Sequence, residues 1–514
     1  MAISNTTDFS KRIQAAYTFK GDQVLVGLGM LDNKPIKDTL IHLPLKTLNR
    51  HGLIAGATGT GKTKSLQGLA GALSKAGVPS LLMDIKGDLS GLGASGQLSD
   101  VVNKRADLMG YTFKGEAYPI EFLSLSNEKG ARLRATVTEF GPILLGKILN
   151  LNEAQQSLLA VIMRFCDEQG LLLLDLKDLK KVLTFISEEG KTEFEAEYGK
   201  VSTTSSGTIL RKIVALEDQG ADLFFGEPSF EVEDLLRVDE NGYGILSVVR
   251  LTDMQNRPAL FSTFMLQLLA EVFEVFPEVG DSDRPKLVLF IDEAHLIFNE
   301  ASKVLVNQIE TIIKLIRSRG VGVIFCTQSP DDIPSSILSQ LGMKIQHSLR
   351  AFTAKDRKAV KTASENFPES TDYQVDRLIT ELGIGEAFVT CLDEKGRPTP
   401  LVHTLVAPPA SRMDILTENE IDSIIKRSKI VRKYNTDVNR DSAYEILSAK
   451  IDERLNTQAT NKTKQTEPTD KKSPKQEKTV IEKVINSSFA RDVGRTLTRE
   501  ITRSILGSLG FKRR

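Results

Sequence analysis

The sequence predicts an α/β fold whose central sheet is parallel. Of the 514 residues, 40% are hydrophobic, which is ordinary for globular proteins and supplies enough apolar material for a sizeable core. Short apolar runs that end in glycines and polar residues alternate with longer stretches whose apolar residues recur at three-and-four spacing. The first pattern is typical of buried strands and the second of amphipathic helices. Their alternation predicts parallel strands covered by helices.

Composition excludes several classes of protein. The cysteines, Cys166, Cys326 and Cys391, are far apart and lack CxxC spacing, so we expect neither a disulfide framework nor a zinc ribbon. The five histidines are scattered, which argues against a metal cluster. The N-terminal residues lack the apolar run of a signal peptide, and no apolar stretch is long enough to span a bilayer. We therefore expect a cytoplasmic protein without a transmembrane segment.

The first half of the core follows a short N-terminal segment. Residues 1–49 are predicted to be β-rich, because DQVLVGLGM and TLIHLPL are apolar runs bounded by turn residues. The next run, GLIAGATG at 52–59, predicts a buried strand that enters a glycine-rich turn, and a helix is expected over about 62–75. The run VPSLLMDIKGDLSGL then supplies another strand. Residues 50–140 are therefore predicted to be the first half of the α/β core.

The glycine-rich turn carries the complete phosphate-binding pattern GxxxxGK[ST], the P-loop. It lies between an apolar strand and a helix, where backbone N–H groups and the positive end of the helix dipole hold phosphate oxygens. We expect Lys62 to reach the β- and γ-phosphates of ATP and Thr63 to bind Mg²⁺ through its hydroxyl. The predicted nucleotide-binding residues are Gly56, Ala57, Thr58, Gly59, Thr60, Gly61, Lys62, Thr63 and Lys64.

A helical insertion is predicted over residues 141–240, where two long segments carry apolar residues at three-and-four spacing. The core resumes over residues 241–410. This second half contains a strand at 243–251, a helix over about 257–276, the strand KLVLFIDEAH, a long helix over about 301–318 and the strand GVGVIFCTQS. We expect it to end in an edge hairpin near Pro409.

Two adjacent acids follow the strand KLVLFI, at the end where parallel sheets bind ligands. We expect Asp292 to hold Mg²⁺ through water, and Glu293 to orient or deprotonate the water that attacks the γ-phosphate. His295 is either a structural histidine or a γ-phosphate sensor. Gln328 ends the next strand and is expected to contact the γ-phosphate or the attacking water. Asp84 is a candidate for an indirect contact with Mg²⁺.

Several motifs in a fixed order resemble those of the HerA/FtsK branch of P-loop ATPases, with the nearest likeness to bacterial HerA-like proteins of the YjgR type. The motifs are GATGTGKT, the strand ending in MDIKGDLSGL, LFIDEAH, and IRSRGVGVIFCTQSPDDIPSSILSQ. The resemblance covers most of residues 20–410. It implies a RecA-like core, ATP and Mg²⁺ as cofactors, a homo-hexameric ring, and ATP-driven movement along or processing of double-stranded DNA.

A ring would give two arginines a catalytic role. Ring ATPases place the nucleotide at a subunit junction, where a neighbour's guanidinium stabilises charge on the transferring phosphoryl group. By resemblance, Arg317 matches the arginine before the glycine in the helix-to-strand turn, and Arg350 matches one on the following strand. Either is a candidate for the arginine that acts on the neighbour's site, and each can also be a surface arginine or form an ion pair within its own subunit.

The C-terminal residues differ from the core in composition. Residues 411–456 are predicted to be peripheral helices, 457–478 a polar flexible linker, and 479–514 a basic amphipathic tail helix. Residues 461–514 contain 14 basic and 6 acidic side chains. The tail arginines recur every four residues on one helix face, which fits a polyanion such as DNA; they are Arg491, Arg495, Arg499 and Arg503. An apolar stripe beside them leaves a membrane surface, self-association and packing on the core as alternatives.

Three functions remain open on the sequence. The first is an ATP-hydrolysing ring motor that acts on double-stranded DNA, a translocase or helicase. The second is a P-loop ATPase that moves or gates protein in a secretion- or conjugation-like assembly. The third is a nucleotide-gated scaffold, which the presence of Glu293 disfavours because a pure switch needs no catalytic base. The sequence does not identify a partner protein such as a nuclease.

Overall fold

The fold is described here from a computed structural model, which covers residues 2–254, 257–280, 282–298, 303–436, 438 and 440–464. The predicted basic tail helix at 479–514 lies outside the described residues, as does the predicted linker beyond Lys464. The first residues of that linker, 457–464, are helical and continue the preceding helix. Our boundary at 457 was wrong because the segment up to Lys464 contains no proline or glycine that would end a helix.

Twelve strands of the described residues form one sheet in the order β2-β1-β12-β11-β10-β3-β9-β8-β4-β7-β5-β6. The eight strands from β10 to β6 in this order are parallel, whereas β11, β12, β1 and β2 pair antiparallel. The strands are β1 Gln23–Leu31, β2 Lys34–Pro44, β3 Gly52–Ala55, β4 Ser80–Asp84, β5 Ile120–Ser124, β6 Ala131–Arg132, β7 Leu246–Arg250, β8 Leu287–Ile291, β9 Val321–Thr327, β10 Met343–Gln346, β11 Glu386–Thr390 and β12 Val402–Val406. The predicted α/β fold with a mostly parallel central sheet is confirmed.

The α-helices connect these strands. In chain order they are α1 Ala2–Ala16, α2 Lys62–Lys75, α3 Asp100–Leu108, α4 Val137–Ile148, α5 Glu153–Gln169, α6 Leu176–Ser187, α7 Lys191–Tyr198, α8 Thr203–Glu217, α9 Pro258–Val275, α10 His295–Phe298, α11 Lys303–Ile316, α12 Ser335–Leu338, α13 Ala354–Glu365, α14 Val375–Glu381, α15 Glu418–Arg427, α16 Lys429–Tyr434 and α17 Ala443–Lys464. Helices α4 to α8 follow one another between β6 and β7, in the region where we predicted the helical insertion.

Helix α1 corrects the prediction that residues 1–49 are simply β-rich. Phe9, Ile13 and Tyr17 recur every four residues and are completely buried. The Tyr17 hydroxyl donates hydrogen bonds to the carbonyl oxygens of Val389 and Pro400, at 3.0 and 2.6 Å. The helix therefore packs by one narrow apolar face. Because the rest of the segment is mostly polar, its sequence did not predict a helix.

The predicted edge hairpin is present but is not at an edge. Strands β11 and β12 pair antiparallel, with Phe388 opposite His403, yet they lie inside the sheet between β10 and β1. The outer positions are taken by β1 and β2, which come from the N-terminal segment. All five residues of β12 are buried, as expected for a strand covered on both faces.

Residues Met1–Leu447 form one compact unit, and the end of α17 from Ser448 belongs to a second unit. In the first unit the central strands are the most deeply buried, and every residue of β8 is inaccessible to solvent. None of the described helices combines the length and the hydropathy that a bilayer-spanning segment needs. The parallel arrangement brings the C-terminal ends of β3, β9, β8 and β4 to one edge of the sheet, and the site lies there.

Candidate active site

The P-loop connects β3 to α2 in a conformation that only glycine adopts easily. Gly56 and Gly61 have φ angles of +152° and +114°, a range that side chains disfavour. A Cβ on Gly56 would lie 2.5 Å from the Cβ of His347, which is too close for any other residue. The glycines of the pattern are therefore required by backbone shape and by close packing.

The loop is anchored at its start and open for phosphate at its end. The Gly56 N–H donates to the Thr327 carbonyl (3.3 Å) and the Ala57 N–H to the Ser348 carbonyl (2.8 Å), which ties the loop to the ends of β9 and β10. Within the described part of the chain, other amides of the loop donate no hydrogen bond; these are the N–H groups of Gly59, Gly61, Lys62 and Thr63. Unpaired amides at a helix N-terminus are the donors that a polyphosphate requires.

Lys62 lies within this loop. Its side chain is buried, and Nζ donates to the carbonyl oxygens of Gly56 (2.6 Å) and Ala57 (3.2 Å). Burial lowers the pKa of Lys62, and the nearby Lys86 ammonium lowers it further. The next lysine, Lys64, donates to the carbonyl oxygen of Met413 and so turns away from the loop.

Thr63 begins the helix beside a loop that follows β4. Its hydroxyl donates to Oδ2 of Asp88 at 3.2 Å. Asp84 shapes that loop, because its carboxylate accepts hydrogen bonds from the amides of Gly87, Asp88 and Leu89 at 2.8 to 3.2 Å. Burial, followed by the nearby Asp88 carboxylate, raises the pKa of Asp84 to about 7. Asp84 therefore holds the loop, and Asp88 is the acid that the fold brings to Thr63.

Asp292 and Glu293 follow β8, which is separated from β3 only by β9. Both are buried, with exposed fractions of 7% and 5%. Burial raises the pKa of Asp292 to about 6, and the adjacent Glu293 carboxylate contributes in the same direction. Glu293 forms an ion pair with Lys86, and its Oε2 lies 3.1 Å from Nδ1 of His295. His295 therefore contacts the predicted base directly.

Gln328 lies at the C-terminal end of β9, between the P-loop strand and the acidic pair. Its side chain is exposed. Its contact with the γ-phosphate or the attacking water stays a prediction.

The two candidate arginines lie in different places. Arg350 is exposed, and its Nη2 donates to the carbonyl oxygen of Thr58 at 3.3 Å, so it borders the P-loop of its own chain. Arg317 is also exposed but precedes β9, so it lies at the N-terminal ends of the parallel strands, opposite the P-loop. At about 3.3 Å per residue, the length of β9 puts roughly 20 Å between that edge and the P-loop. The fold therefore brings Arg350, and not Arg317, to the site of the same chain.

Two residues at the site were given no role on the sequence. His347 accepts a hydrogen bond at Nε2 from the Ser65 hydroxyl and donates from Nδ1 to the Glu386 carbonyl, both at 2.8 Å. Burial lowers the pKa of His347 to about 4, so the ring stays neutral. Its two hydrogen bonds connect α2 to β11. Lys86 is the second such residue, and the polar end of the run MDIKGD was its only signal.

The residues present fit a magnesium nucleotide. The hydroxyl of Thr63 and the carboxylates of Asp88 and Asp292 are hard oxygen donors, which Mg²⁺ prefers. Oδ1 of Asp88 is buried and has no hydrogen-bond partner among the described residues. Mg²⁺ is usually held by one or two carboxylates together with substrate phosphates and water, so this sparse donor set is sufficient.

Known proteins resemble this chain in sequence and in fold. A family model described as Helicase HerA-like C-terminal matches residues 30–514. The DNA double-strand break repair helicase HerA of Sulfolobus acidocaldarius is 22% identical over 377 residues, which are 72% of this chain and 67% of the relative.

Solved structures share the fold. The plasmid coupling protein TrwB in complex with a non-hydrolysable ATP analogue matches with a TM-score of 0.52 and 17% identity, over 79% of this chain and 95% of TrwB. TrwB in complex with ADP and Mg²⁺ gives the same TM-score and identity, over 79% of this chain and 94% of TrwB. This likeness shows that the two proteins have the same α/β architecture.

Proposed function

The chain belongs to the family described as Helicase HerA-like C-terminal and is a P-loop ATPase, and from this premise we propose that it is a cytoplasmic ring motor that moves along double-stranded DNA. The observation that supports a ring is that the P-loop and the candidate Arg317 lie at opposite ends of the parallel strands. The P-loop, Asp292 and Glu293 lie at one edge, whereas Arg317 lies at the other.

Each residue of the site has a distinct role in this proposal. Lys62 binds the β- and γ-phosphates, and Thr63 and Asp292 hold Mg²⁺, the latter through water. When bound, Mg²⁺ neutralises charge that develops on the phosphate oxygens. Glu293 accepts a proton from the attacking water, and Gln328 orients that water or the γ-phosphate.

The two arginines are assigned by their positions. Arg350 donates to the P-loop of its own chain and is therefore proposed to contact the nucleotide in cis. Arg317 is too far from that nucleotide, so it is proposed to complete the site of a neighbouring subunit, where a guanidinium stabilises the transferring phosphoryl group. A site that needs a neighbour's residue predicts a closed homo-oligomer, and by resemblance we propose a hexamer.

The shared site predicts rescue in mixed rings. Arg317→Ala should lose most ATP turnover by itself, and so should Lys62→Ala. When the two inactive proteins are mixed, some junctions pair an intact P-loop with an intact Arg317, so ATP turnover should return. The measurement is steady-state ATP hydrolysis after mixing, with mixed oligomers confirmed by native mass spectrometry.

Arg350→Ala is the matched control for rescue, because its contact is made within one subunit. It should fail to restore turnover when mixed with Lys62→Ala. A subunit with an intact P-loop then lacks Arg350, and a subunit with Arg350 lacks Lys62. Rescue by Arg350→Ala and not by Arg317→Ala would reverse the assignment and contradict the proposed geometry.

Double-stranded DNA is proposed as the substrate because the sequence relative is named a DNA double-strand break repair helicase. Duplex DNA should stimulate ATP turnover, and the affinity for DNA should fall as salt rises. On a log–log plot the slope is about −0.9 for each phosphate contacted by lysine or arginine. The measurement is ATPase activity against DNA concentration at several salt concentrations, with dextran sulfate as a non-nucleic polyanion control. ATP turnover that DNA leaves unchanged at every salt concentration would favour a motor that acts on protein.

A further inference from the structure

The P-loop, Asp292 and Glu293 lie at the C-terminal ends of the parallel strands, which we call the catalytic edge. Lys86 reaches this edge from β4, the strand next to β8 in the sheet. It lies two residues beyond the end of β4, and its ammonium forms an ion pair with Oε1 of Glu293. The Lys86 side chain is 36% exposed, whereas the Glu293 side chain is 6% exposed. A partly solvated cation therefore meets a buried carboxylate at the point where ATP hydrolysis is proposed.

The surroundings of this ion pair are strongly acidic. The Lys86 ammonium also interacts electrostatically with the carboxylates of Asp292 and Asp88. Carboxylates this close repel one another, and a cation among them offsets that repulsion. Lys62 does not form hydrogen bonds to them, because its Nζ donates to carbonyl oxygens of the P-loop. Lys86 is thus the lysine that forms an ion pair with the buried carboxylate of Glu293.

Each oxygen of the Glu293 side chain has a basic side chain close to it, although neither accepts a hydrogen bond from the described residues. Oε1 pairs with Lys86, and Oε2 lies 3.1 Å from Nδ1 of His295. The backbone of Glu293 is in the left-handed region, with φ of +46°, which is unusual for a residue other than glycine. The adjacent Ala294 N–H donates to the Cys326 carbonyl at 3.0 Å and fixes this turn. Such a conformation at a functional site persists only where the surroundings determine it.

We propose that Lys86 is a positioning residue for ATP hydrolysis, which holds the Glu293 carboxylate in the orientation that faces the attacking water. It acts through Glu293 and does not bind the nucleotide. This inference rests on the role proposed above for Glu293. It gives the loop after β4 a second role at the site, in addition to that of Asp88 beside Thr63.

Removal of the positive charge of Lys86 should lower kcat without changing the affinity for the nucleotide. Lys86→Met should lower kcat by roughly 10²-fold, the cost expected when a catalytic group loses its alignment. The Kd of a non-hydrolysable ATP analogue should stay within about threefold of wild type, because the P-loop is unchanged. Lys86→Arg keeps the positive charge and should retain most of kcat. Lys75→Met is the matched control, since Lys75 also pairs with a glutamate, at 2.9 Å, but at the far end of α2.

A double-mutant cycle tests whether Lys86 acts through Glu293. In the Glu293→Gln background, Lys86→Met should lower kcat no further than about twofold, because the group it positions is gone. Full additivity in this cycle, wild-type kcat in Lys86→Met, or an equal loss of analogue affinity would each overturn the inference. Thermal melting verifies folding, and Lys86→Gln repeats the test with a polar side chain if the methionine variant does not fold. Full activity of Glu293→Gln alone would instead contradict the role of Glu293 itself.

Discussion

Glu293→Gln should bind ATP with nearly normal affinity and hydrolyse it roughly 10²–10⁴-fold more slowly, which is the usual contribution of a positioned general base. Glutamine keeps the size and polarity of the side chain but cannot accept the proton of the attacking water. The measurements are single-turnover hydrolysis and the Kd of a non-hydrolysable ATP analogue. Both are needed because a loss of binding would imitate a loss of catalysis at low ATP concentration.

Glu381→Gln is the matched control for this substitution. Glu381 is exposed and pairs with Arg377 one helical turn away, at 3.0 Å, and loss of such a pair costs little. It should leave kcat unchanged. Hydrolysis by Glu293→Gln within about twofold of wild type would remove Glu293 from the proposed chemistry, and the neighbouring Asp292 would become the candidate base.

Lys62→Ala should lower kcat/KM for ATP by roughly 10²–10³-fold or more, since removal of one preorganised donor to developing charge has this effect. Lys62 is buried within the P-loop, and its ammonium donates to the carbonyl oxygens of Gly56 and Ala57. Its loss should therefore weaken both nucleotide binding and the stabilisation of the transferring phosphoryl group. Equilibrium binding of ATP and steady-state turnover measure the two effects separately.

Lys75→Ala is the control from the same helix, because Lys75 ends α2 and pairs with Glu116 outside the site. It should leave both quantities near wild type. If Lys62→Ala bound and hydrolysed ATP normally, the P-loop would not be the nucleotide site, and the family assignment would no longer indicate where the chemistry occurs.

The parts of the fold that the sequence predicts well are those whose signals are local. Helix α2 was expected over 62–75 and begins and ends there, because the glycine-rich turn precedes it and Gly77 follows it. Strands β8 and β9 are continuous apolar runs that end in polar residues, so their bounds were also predictable. The catalytic edge then follows from the rule that parallel strands present their C-terminal ends together.

The parts that were missed depend on contacts between distant residues. The position of β11 and β12 inside the sheet is set by pairing with β1, about 375 residues away in sequence. Among the residues of α1 whose burial is described, Phe9 and Ile13 are completely buried, and Tyr17 follows the helix directly. These apolar residues stand too far apart among polar neighbours to reveal the helix in the sequence. The ion pair of Lys86 with Glu293 connects residues that follow two different strands. Nothing in the sequence of either strand indicates that the two strands are neighbours.

The fold places the two candidate arginines differently, which the sequence could not do. Both arginines were candidates for action on a neighbouring subunit, since each matches a family position and neither position carries geometric information. The hydrogen bond from Arg350 to Thr58 places it at its own P-loop, whereas Arg317 precedes β9 at the far edge. We therefore propose Arg317, and not Arg350, as the arginine that acts on a neighbouring subunit.

The central claim is that hydrolysis at this edge of the sheet drives movement along duplex DNA, and a triplex-displacement assay tests it most directly. A third DNA strand is annealed at one end of a long duplex, and its release is followed after ATP and Mg²⁺ are added to the protein. We expect release by the wild-type protein with a delay that lengthens with the distance to the triplex, and no release by Glu293→Gln. Wild-type protein that hydrolyses ATP in the presence of this duplex but never releases the third strand would contradict the claim.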